Sequence, residues 1–236
     1  MKTQLLTALG LTLASTLLAA QPGELIFEDD FDRNESQETK DEIGKGWGSN
    51  SKSRAKGNKQ VDLRDGAMYI YIHKEADHAV SVTHPAEFRD GTVGMRFMLE
   101  DPKDVLGLDF ADLQFKQVHA GHLFKVTVGT RNVQIDDMKT GGMNMKFYEA
   151  KKAKKLSAEQ LRFIASTRKT FPKQVSSGKW HDLLVNITGD TVTVSIDGKK
   201  TASLSSEGFA HPTKKMLRLS VPKNAVVDDV KIWRTK

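Results

Sequence analysis

The sequence predicts an all-β fold, a sandwich of antiparallel strands carrying one helical insertion, and three features carry that prediction. Residues 181–196 read H-D-L-L-V-N-I-T-G-D-T-V-T-V-S-I. Leu183, Val185 and Ile187 share one parity; beyond Gly189-Asp190, Val192, Val194 and Ile196 do the same, with Thr191, Thr193 and Ser195 opposite. Strict alternation around a two-residue glycine turn is the pattern of a hairpin with one buried face. Second, Asp65-Gly66, Asp90-Gly91, Gly141-Gly142 and Asp197-Gly198 punctuate the chain as turns. Third, the alternation stops between residues 143 and 172, where Leu156-Ser157-Ala158-Glu159-Gln160-Leu161 reads as a helix start, with Ser157 as N-cap and Gln160 at the capping-box position.

The elements follow in order. Leu25-Ile26-Phe27 opens the first strand and leads into Glu28-Asp29-Asp30-Phe31-Asp32-Arg33. Asn34 to Asp41 is a charged loop closed by Ile43-Gly44-Lys45-Gly46-Trp47-Gly48; the tryptophan reads as a packing anchor or as an exposed ligand platform. Ser49 to Asn58, rich in Ser, Lys and Gly, reads as a flexible basic loop. Val61 to Leu63 and Ala67 to His73 flank the Asp65-Gly66 turn, with Met68, Ile70 and Ile72 on one side and Tyr69, Tyr71 and His73 on the other. Val80 and Val82 mark a short strand ending at His84-Pro85, and Thr92 to Leu99 buries Val93, Met95, Phe97 and Leu99 while Arg96 and Met98 face out. Further strands cover Leu108 to Phe115, Leu123 to Val128 and Val133 to Asp137. The helix is expected to run from Ser157 to Thr167 or Thr170, with Leu161 and Ile164 as its buried stripe, behind the basic run Lys151-Lys152-Ala153-Lys154-Lys155. Leu217, Leu219 and Val221, then Val230 and Ile232, complete the strands.

Residues 1–20 carry the pattern of a secretory leader: Lys2, an apolar stretch from Leu5 to Leu18, and Ala19-Ala20 as cleavage site. The expected location is therefore periplasmic or extracellular, and the apolar stretch is too short and too rich in Thr and Ser for a membrane span. Residues 21–236 read as one domain, because no polar linker separates two apolar halves. The chain has no cysteine, which excludes disulfides, thiolate metal sites and a cysteine nucleophile, and favours a bacterial setting. The formal charge is +6, of which the leader holds one lysine. A basic secreted chain is drawn to acidic polymers, such as sulfated or uronic polysaccharides, or to a cell surface. No glycine-rich phosphate loop, G-x-S-x-G elbow, dinucleotide fingerprint or aromatic-basic nucleic-acid module is present, so nucleic acid is not expected as a partner.

The F-x-D-D-F-D-R opening at Phe27 to Arg33, Gly46-Trp47, the W-H-D-L-x-V of Trp180 to Val185, the Asp190 to Lys199 hairpin and the closing Val227 to Trp233 together resemble the concanavalin A-like lectin/glucanase superfamily. Within it they are most similar to laminin G-like domains and the bacterial 3-keto-disaccharide hydrolase domain family. The resemblance implies a two-sheet jelly roll with a concave face that holds a sugar, and hence a carbohydrate-binding or carbohydrate-processing protein with a polysaccharide or oligosaccharide partner. If it is an enzyme, a glycoside hydrolase or lyase is implied. The E-x-D-x-x-E strand by which family 16 glycoside hydrolases place alternate carboxylates on one face is not found, which disfavours retaining chemistry in that style.

The candidate catalytic residues are His119 and His122, three apart on a turn. They read as a metal pair completed by Asp109 or Gln114, as a general acid or base, or as hydrogen-bonding loop histidines. A sugar in the concave face would stack on Tyr69, Tyr71 or Trp47, beside His73, with Arg96, Gln114 and His122 as polar contacts. The resemblance also places the first and last strands side by side, bringing Asp30 and Asp32 near Asp228 and Asp229. Such carboxylates need a counter-charge, supplied by a structural Ca²⁺ or by Arg33, Lys231 and Arg234. A different class of function, a structural or adhesive envelope protein holding an acidic surface polymer through its basic segment, fits the same sequence.

Overall fold

Alternation sets which side chains leave water, and in the computed structural model, which describes residues 23–236, it produces two antiparallel sheets. The segment read as a leader lies outside the described residues. The strands, in chain order, are β1 (Glu24–Asp29), β2 (Gly48–Ser49), β3 (Val61–Arg64), β4 (Ala67–Tyr71), β5 (Val80–Phe88), β6 (Gly91–Met98), β7 (Val105–Ala111), β8 (His122–Gly129), β9 (Asn132–Asp137), β10 (Arg168–Pro172), β11 (His181–Thr188), β12 (Thr191–Ile196), β13 (Lys199–Ser205), β14 (Lys214–Val221) and β15 (Asn224–Arg234). The helices are α1 (Ser51–Arg54), α2 (Met145–Lys152) and α3 (Ala158–Ser166). Sheet A has the order β13-β12-β11-β6-β15-β4-β3, with β1 also paired to β15; sheet B has the order β10-β9-β8-β7-β14-β5-β2.

The inward parity read from the sequence is the one observed. Val93, Met95 and Phe97 of β6, Leu183, Val185 and Ile187 of β11, Val192, Val194 and Ile196 of β12, and Leu217, Leu219 and Val221 of β14 are all fully buried. Each such side chain contributes about 1.5–3 kcal/mol relative to exposure, and together they form one cluster between the sheets. Asp65-Gly66 and Asp197-Gly198 make the expected tight hairpins: both residues of each pair have positive φ, the backbone that matches the twist of the flanking strands.

Five local expectations are corrected. The strand expected over Leu108 to Phe115 is β7, Val105–Ala111, because at Asp112 the chain leaves the sheet and its carboxylate accepts from the Gln114 N–H. Ser49 to Asn58 is not a flexible loop; Ser49 pairs with β5 and residues 51–54 form α1. The 143–172 insertion holds two helices, since Asn144 caps α2 ahead of the foreseen α3. The capping box of α3 forms as read, Ser157 Oγ accepting from the Gln160 N–H and the Gln160 side chain from the Ser157 N–H, but the helix ends at Ser166, and residues 168–172 pair with β9 as β10. Leu161 is 53% exposed rather than buried: α3 lies over the outer face of sheet B and turns Leu161 and Ile164 toward an open pocket.

Candidate functional site

The outward parity of sheet B assembles the site. Pairing register aligns Arg218 of β14, Asp109 of β7, Lys125 of β8, Asp136 of β9 and Arg168 of β10 across five adjacent strands. The row alternates positive and negative charge throughout. One register step away runs an uncharged row, Ser81, Ser220, Gly107, Thr127, Gln134 and Thr170. Directly opposed side chains on a sheet face touch their cross-strand neighbours, so these rows form a continuous polar surface.

Each carboxylate in the row is claimed by a cation. Asp136 accepts from Arg168 Nε at 2.9 Å and Nη2 at 2.5 Å; burial nonetheless raises its pKa above the ordinary value, with the arginine opposing. Asp109 is 3% exposed and accepts from His122 Nδ1 at 2.5 Å through Oδ2, while Arg218 Nη1 lies 3.8 Å from Oδ1. That second oxygen is buried without a hydrogen-bond donor. With Nδ1–H given to Asp109, the Arg218 Nη1 at 3.2 Å from Nδ1 is a close approach of charge rather than a bond, and Arg218 Nη2 donates to the Ala120 carbonyl at 2.7 Å. A carboxylate that holds Nδ1–H fixes the tautomer and leaves Nε2 as the basic nitrogen.

Lys125 takes neither carboxylate. Its stem crosses β7 and Nζ donates to Ser220 Oγ on β14 at 2.9 Å. Gly107 makes the crossing possible, since a Cβ there would collide with Lys125 Cε. Burial lowers the Lys125 pKa, against the opposing pull of Asp109 and Asp136.

The insertion walls this surface. A pocket of about 370 Å³ lies between sheet B and the helices, lined by Lys125, Thr127, Gln134, Asp136 and Arg168 from the sheet, Met138, Gly142 and Met143 from the β9–α2 turn, and Lys151, Leu156, Leu161 and Ile164 from the helical segment. Near the His122 end, Tyr148 of α2 stacks on His119 with ring centroids 3.8 Å apart and planes 8° apart. Burial, then the neighbouring His122, lowers the His119 pKa.

No family model matches the chain, and no curated protein matches it. Solved structures do. A laminarinase from Rhodothermus marinus is 11% identical with a TM-score of 0.59, over 91% of this chain and 98% of its own. The catalytic domain of a laminarinase from Thermotoga maritima is 14% identical with a TM-score of 0.54, over 91% and 99%. The carbohydrate-binding module CBM66 from Bacillus subtilis is 11% identical with a TM-score of 0.53, over 80% and 95%. The fold is the concanavalin A-like jelly roll.

The jelly roll separates residues that the sequence reading grouped. Tyr69 and Tyr71 of β4 and Arg96 of β6 lie on the outer face of sheet A, while His122 and Asp109 lie on the outer face of sheet B. The ring of Tyr69 carries the Arg64 guanidinium 4.0 Å from its centroid. Arg96 bonds Asp228 at 3.0 Å and stacks over Trp180. His73 lies beyond β4, its N–H on Gln60 Oε1. Gln114 sits in the loop after β7, its amide oxygen taken by Lys215. Trp47 is no platform: it is 8% exposed, packs edge-on against Phe27, and donates its indole N–H to Asp29 at 2.9 Å. One position near Asp109 bears on retaining chemistry. The outward stretch of β7 reads Gly107-x-Asp109, and the Lys125 stem fills the space a side chain at 107 would need.

The first and last strands do pair, Glu28 opposite Lys231 and Asp29 opposite Val230. Yet Asp30, Asp32, Asp228 and Asp229 do not bring three carboxylates within ligating distance of one another among the described residues. Asp30 and Asp229 line a small cavity with Lys45 and Lys231, Asp228 is tied to Arg96, and Asp32 is exposed, its N–H on Asp30 Oδ1. Burial, then Asp229, raises the Asp228 pKa to about 6. These residues do not fit a calcium ion as a carboxylate cage. The acidic group that does converge, Glu35, Glu38 and Asp62, holds the Lys59 ammonium at 2.8, 2.9 and 2.7 Å. His119 and His122 lie with ring centroids 6.5 Å apart and no third ligand joins them among the described residues.

Lys125, Asp136, Arg168, Arg218, Tyr148 and Ser220 were not singled out by sequence. Five of the six are outward members of alternating strands, and only strand order and register show that they adjoin.

Proposed function

We propose that this chain is a secreted carbohydrate-binding protein that lays an oligosaccharide segment across the outer face of sheet B, with one end in the pocket under α2 and α3. The observation that carries the reading is the pair of adjoining rows, five alternating charges beside a strip of hydroxyl and amide groups. Sugars are recognised through many directional hydrogen bonds, and a continuous strip of donors and acceptors backed by a rigid sheet supplies them without reorganisation. The fold's occurrence in a carbohydrate-binding module and in laminarinases supports the same class. The basic balance of the chain, and three cations against two carboxylates in the row, favour an acidic polysaccharide.

A catalytic reading is favoured by one observation, the Asp109–His122 contact at 2.5 Å. An imidazole oriented in this way can take a proton from a bound sugar at Nε2. The face does not favour a retaining glycosidase, which needs two carboxyl groups about 5–5.5 Å apart with one free to be nucleophile: Asp109 is engaged by His122 and Arg218, and Asp136 by Arg168. The chain without residues 1–20 would be titrated with neutral, uronic and sulfated oligosaccharides while following backbone amide shifts, and the mixtures analysed by mass spectrometry. Shifts confined to β5, β7–β10, β14 and the α2–α3 segment are expected. Shifts on sheet A, or none, would overturn the binding reading. New products that persist in His122→Ala would overturn the catalytic one.

A further inference from the structure

Lys125 is the cation of the row that forms no ion pair among the described residues, although Asp109 and Asp136 flank it. Asp109 is taken by His122, Asp136 by Arg168, and the Lys125 ammonium donates to a neutral hydroxyl, Ser220 Oγ. A half-buried ammonium without a paired counter-charge is costly, and Gly107 is kept free of a side chain along the path of its stem. Around it the pocket is two-faced. Its sheet side offers the Lys125 stem, the Asp136–Arg168 pair and the Thr127 and Gln134 side chains, and Lys151 approaches from α2; the rest of its helical side is apolar, made of Met143, Leu156, Leu161 and Ile164. Leu161 is half exposed and faces the pocket, so the wall is apolar surface that the fold itself does not cover.

We infer that this face selects an acidic sugar joined to an acyl-bearing one, a carboxylate over β7 against the Lys125 ammonium, beside the pocket, and an acyl methyl inside the pocket against Leu161 and Ile164. The inference rests on the carbohydrate reading above and adds the two substituents the face distinguishes. A carboxylate fits better than a neutral hydroxyl because it supplies a paired counter-charge and charge-assisted hydrogen bonds. The methyl group fits because the polar sheet face can pair a sugar's hydroxyls while the opposite wall can only gain by excluding water.

Four probes separate the two substituents: a hyaluronan tetrasaccharide (glucuronate with N-acetylglucosamine), trigalacturonate (acid alone), chitotetraose (acyl alone) and cellotetraose (neither). Calorimetric titration of the chain should rank hyaluronan first, the two singly substituted sugars next and cellotetraose last, with about tenfold or more between first and last. Lys125→Met should remove the advantage of the acidic probes and spare that of chitotetraose, and Leu161→Ser should do the reverse. Leu161 is on an exposed helix face, so that variant folds even if loss of Lys125 perturbs the sheet. If cellotetraose binds as well as the hyaluronan fragment, the carbohydrate reading stands and this inference fails. If all four probes fail to bind, both fail. If the ranking holds but neither variant changes it, the selective site is elsewhere and the inference fails.

Discussion

Asp29→Ala should destabilise the protein by about 3–5 kcal/mol, the range for removing one partner of a buried ion pair. The carboxylate is fully buried at the end of β1 and accepts from Arg33 Nη1 at 2.6 Å, Arg33 Nη2 at 2.9 Å, the Phe31 N–H at 3.1 Å and Trp47 Nε1 at 2.9 Å. Lys45 Nζ stands 3.2 Å away. Without Asp29 the indole N–H is left in the core, and a buried donor with no acceptor costs about 1–3 kcal/mol on its own. Arg33 keeps its bonds to the Ile43 carbonyl but loses its charge partner. Burial pushes the Asp29 carboxyl up, but Arg33, the Phe31 N–H, Trp47 and Lys45 outweigh it and hold the pKa below the ordinary 3.8. Its contribution is therefore complete above pH 3.8 and disappears as pH falls through the lower folded value. Urea unfolding followed by circular dichroism should show the full loss in Asp29→Ala at pH 7, a melting temperature lower by about 10 °C, and a smaller gap from the parent protein near pH 3. A loss under about 1 kcal/mol at pH 7, the worth of an exposed ion pair, would refute the assignment of this corner as a buried anchor.

Other outcomes follow from the same structure. Lys214 is fully buried, its ammonium donating to the Arg89 and His211 carbonyls, and burial lowers its pKa to about 8. The unfolded chain binds this proton more tightly, so stability should rise as pH goes from about 8 toward 10.5, by at most about 3 kcal/mol, and Lys214→Met should flatten that rise in urea titrations run at each pH. Gly107→Ala should lift Lys125 off Ser220 and cost about 1–3 kcal/mol by overpacking; an unchanged Lys125 ammonium signal in NMR would contradict the crossing. Ser157→Ala should cost about 1 kcal/mol locally, seen as faster hydrogen exchange over residues 158–166 with sheet B amides unchanged.

Strand parity was legible in the sequence because a period of two leaves no choice of face: Leu183, Val185 and Ile187 had to be buried together. The helix start at Ser157 was equally plain, since a capping box is a local contact. Leu161 misled because an apolar residue at helical spacing reads as core whether the fold covers it or leaves it lining a pocket. The site was barely legible. His122 stood out by residue type, and Asp109 was noted near it, but Lys125 and Asp136 look like ordinary solvent-facing members of β8 and β9. Which strand lies beside which is decided by long-range pairing, and no local signal placed β14 next to β7. The same gap explains why Tyr69, Tyr71 and Arg96 were grouped with His122: parity gives a face, not the sheet that owns it.

The position of the last two strands also governs how the molecule is made. In sheet B, β14 alone joins β5 to β7; in sheet A, β15 alone joins β4 to β6. The earlier strands form hairpins and meanders, but until these two arrive sheet B is two separate pieces and sheet A is two pieces plus an unpaired β1, with raw edges along the middle of each. Such contacts between distant parts of the chain close slowly, and exposed strand edges invite pairing with other chains. A growing chain of this design holds unjoined hairpins and meanders until β14 closes sheet B and β15 closes sheet A. Loss of β15 would therefore not trim the molecule at one end; it would split sheet A along its centre.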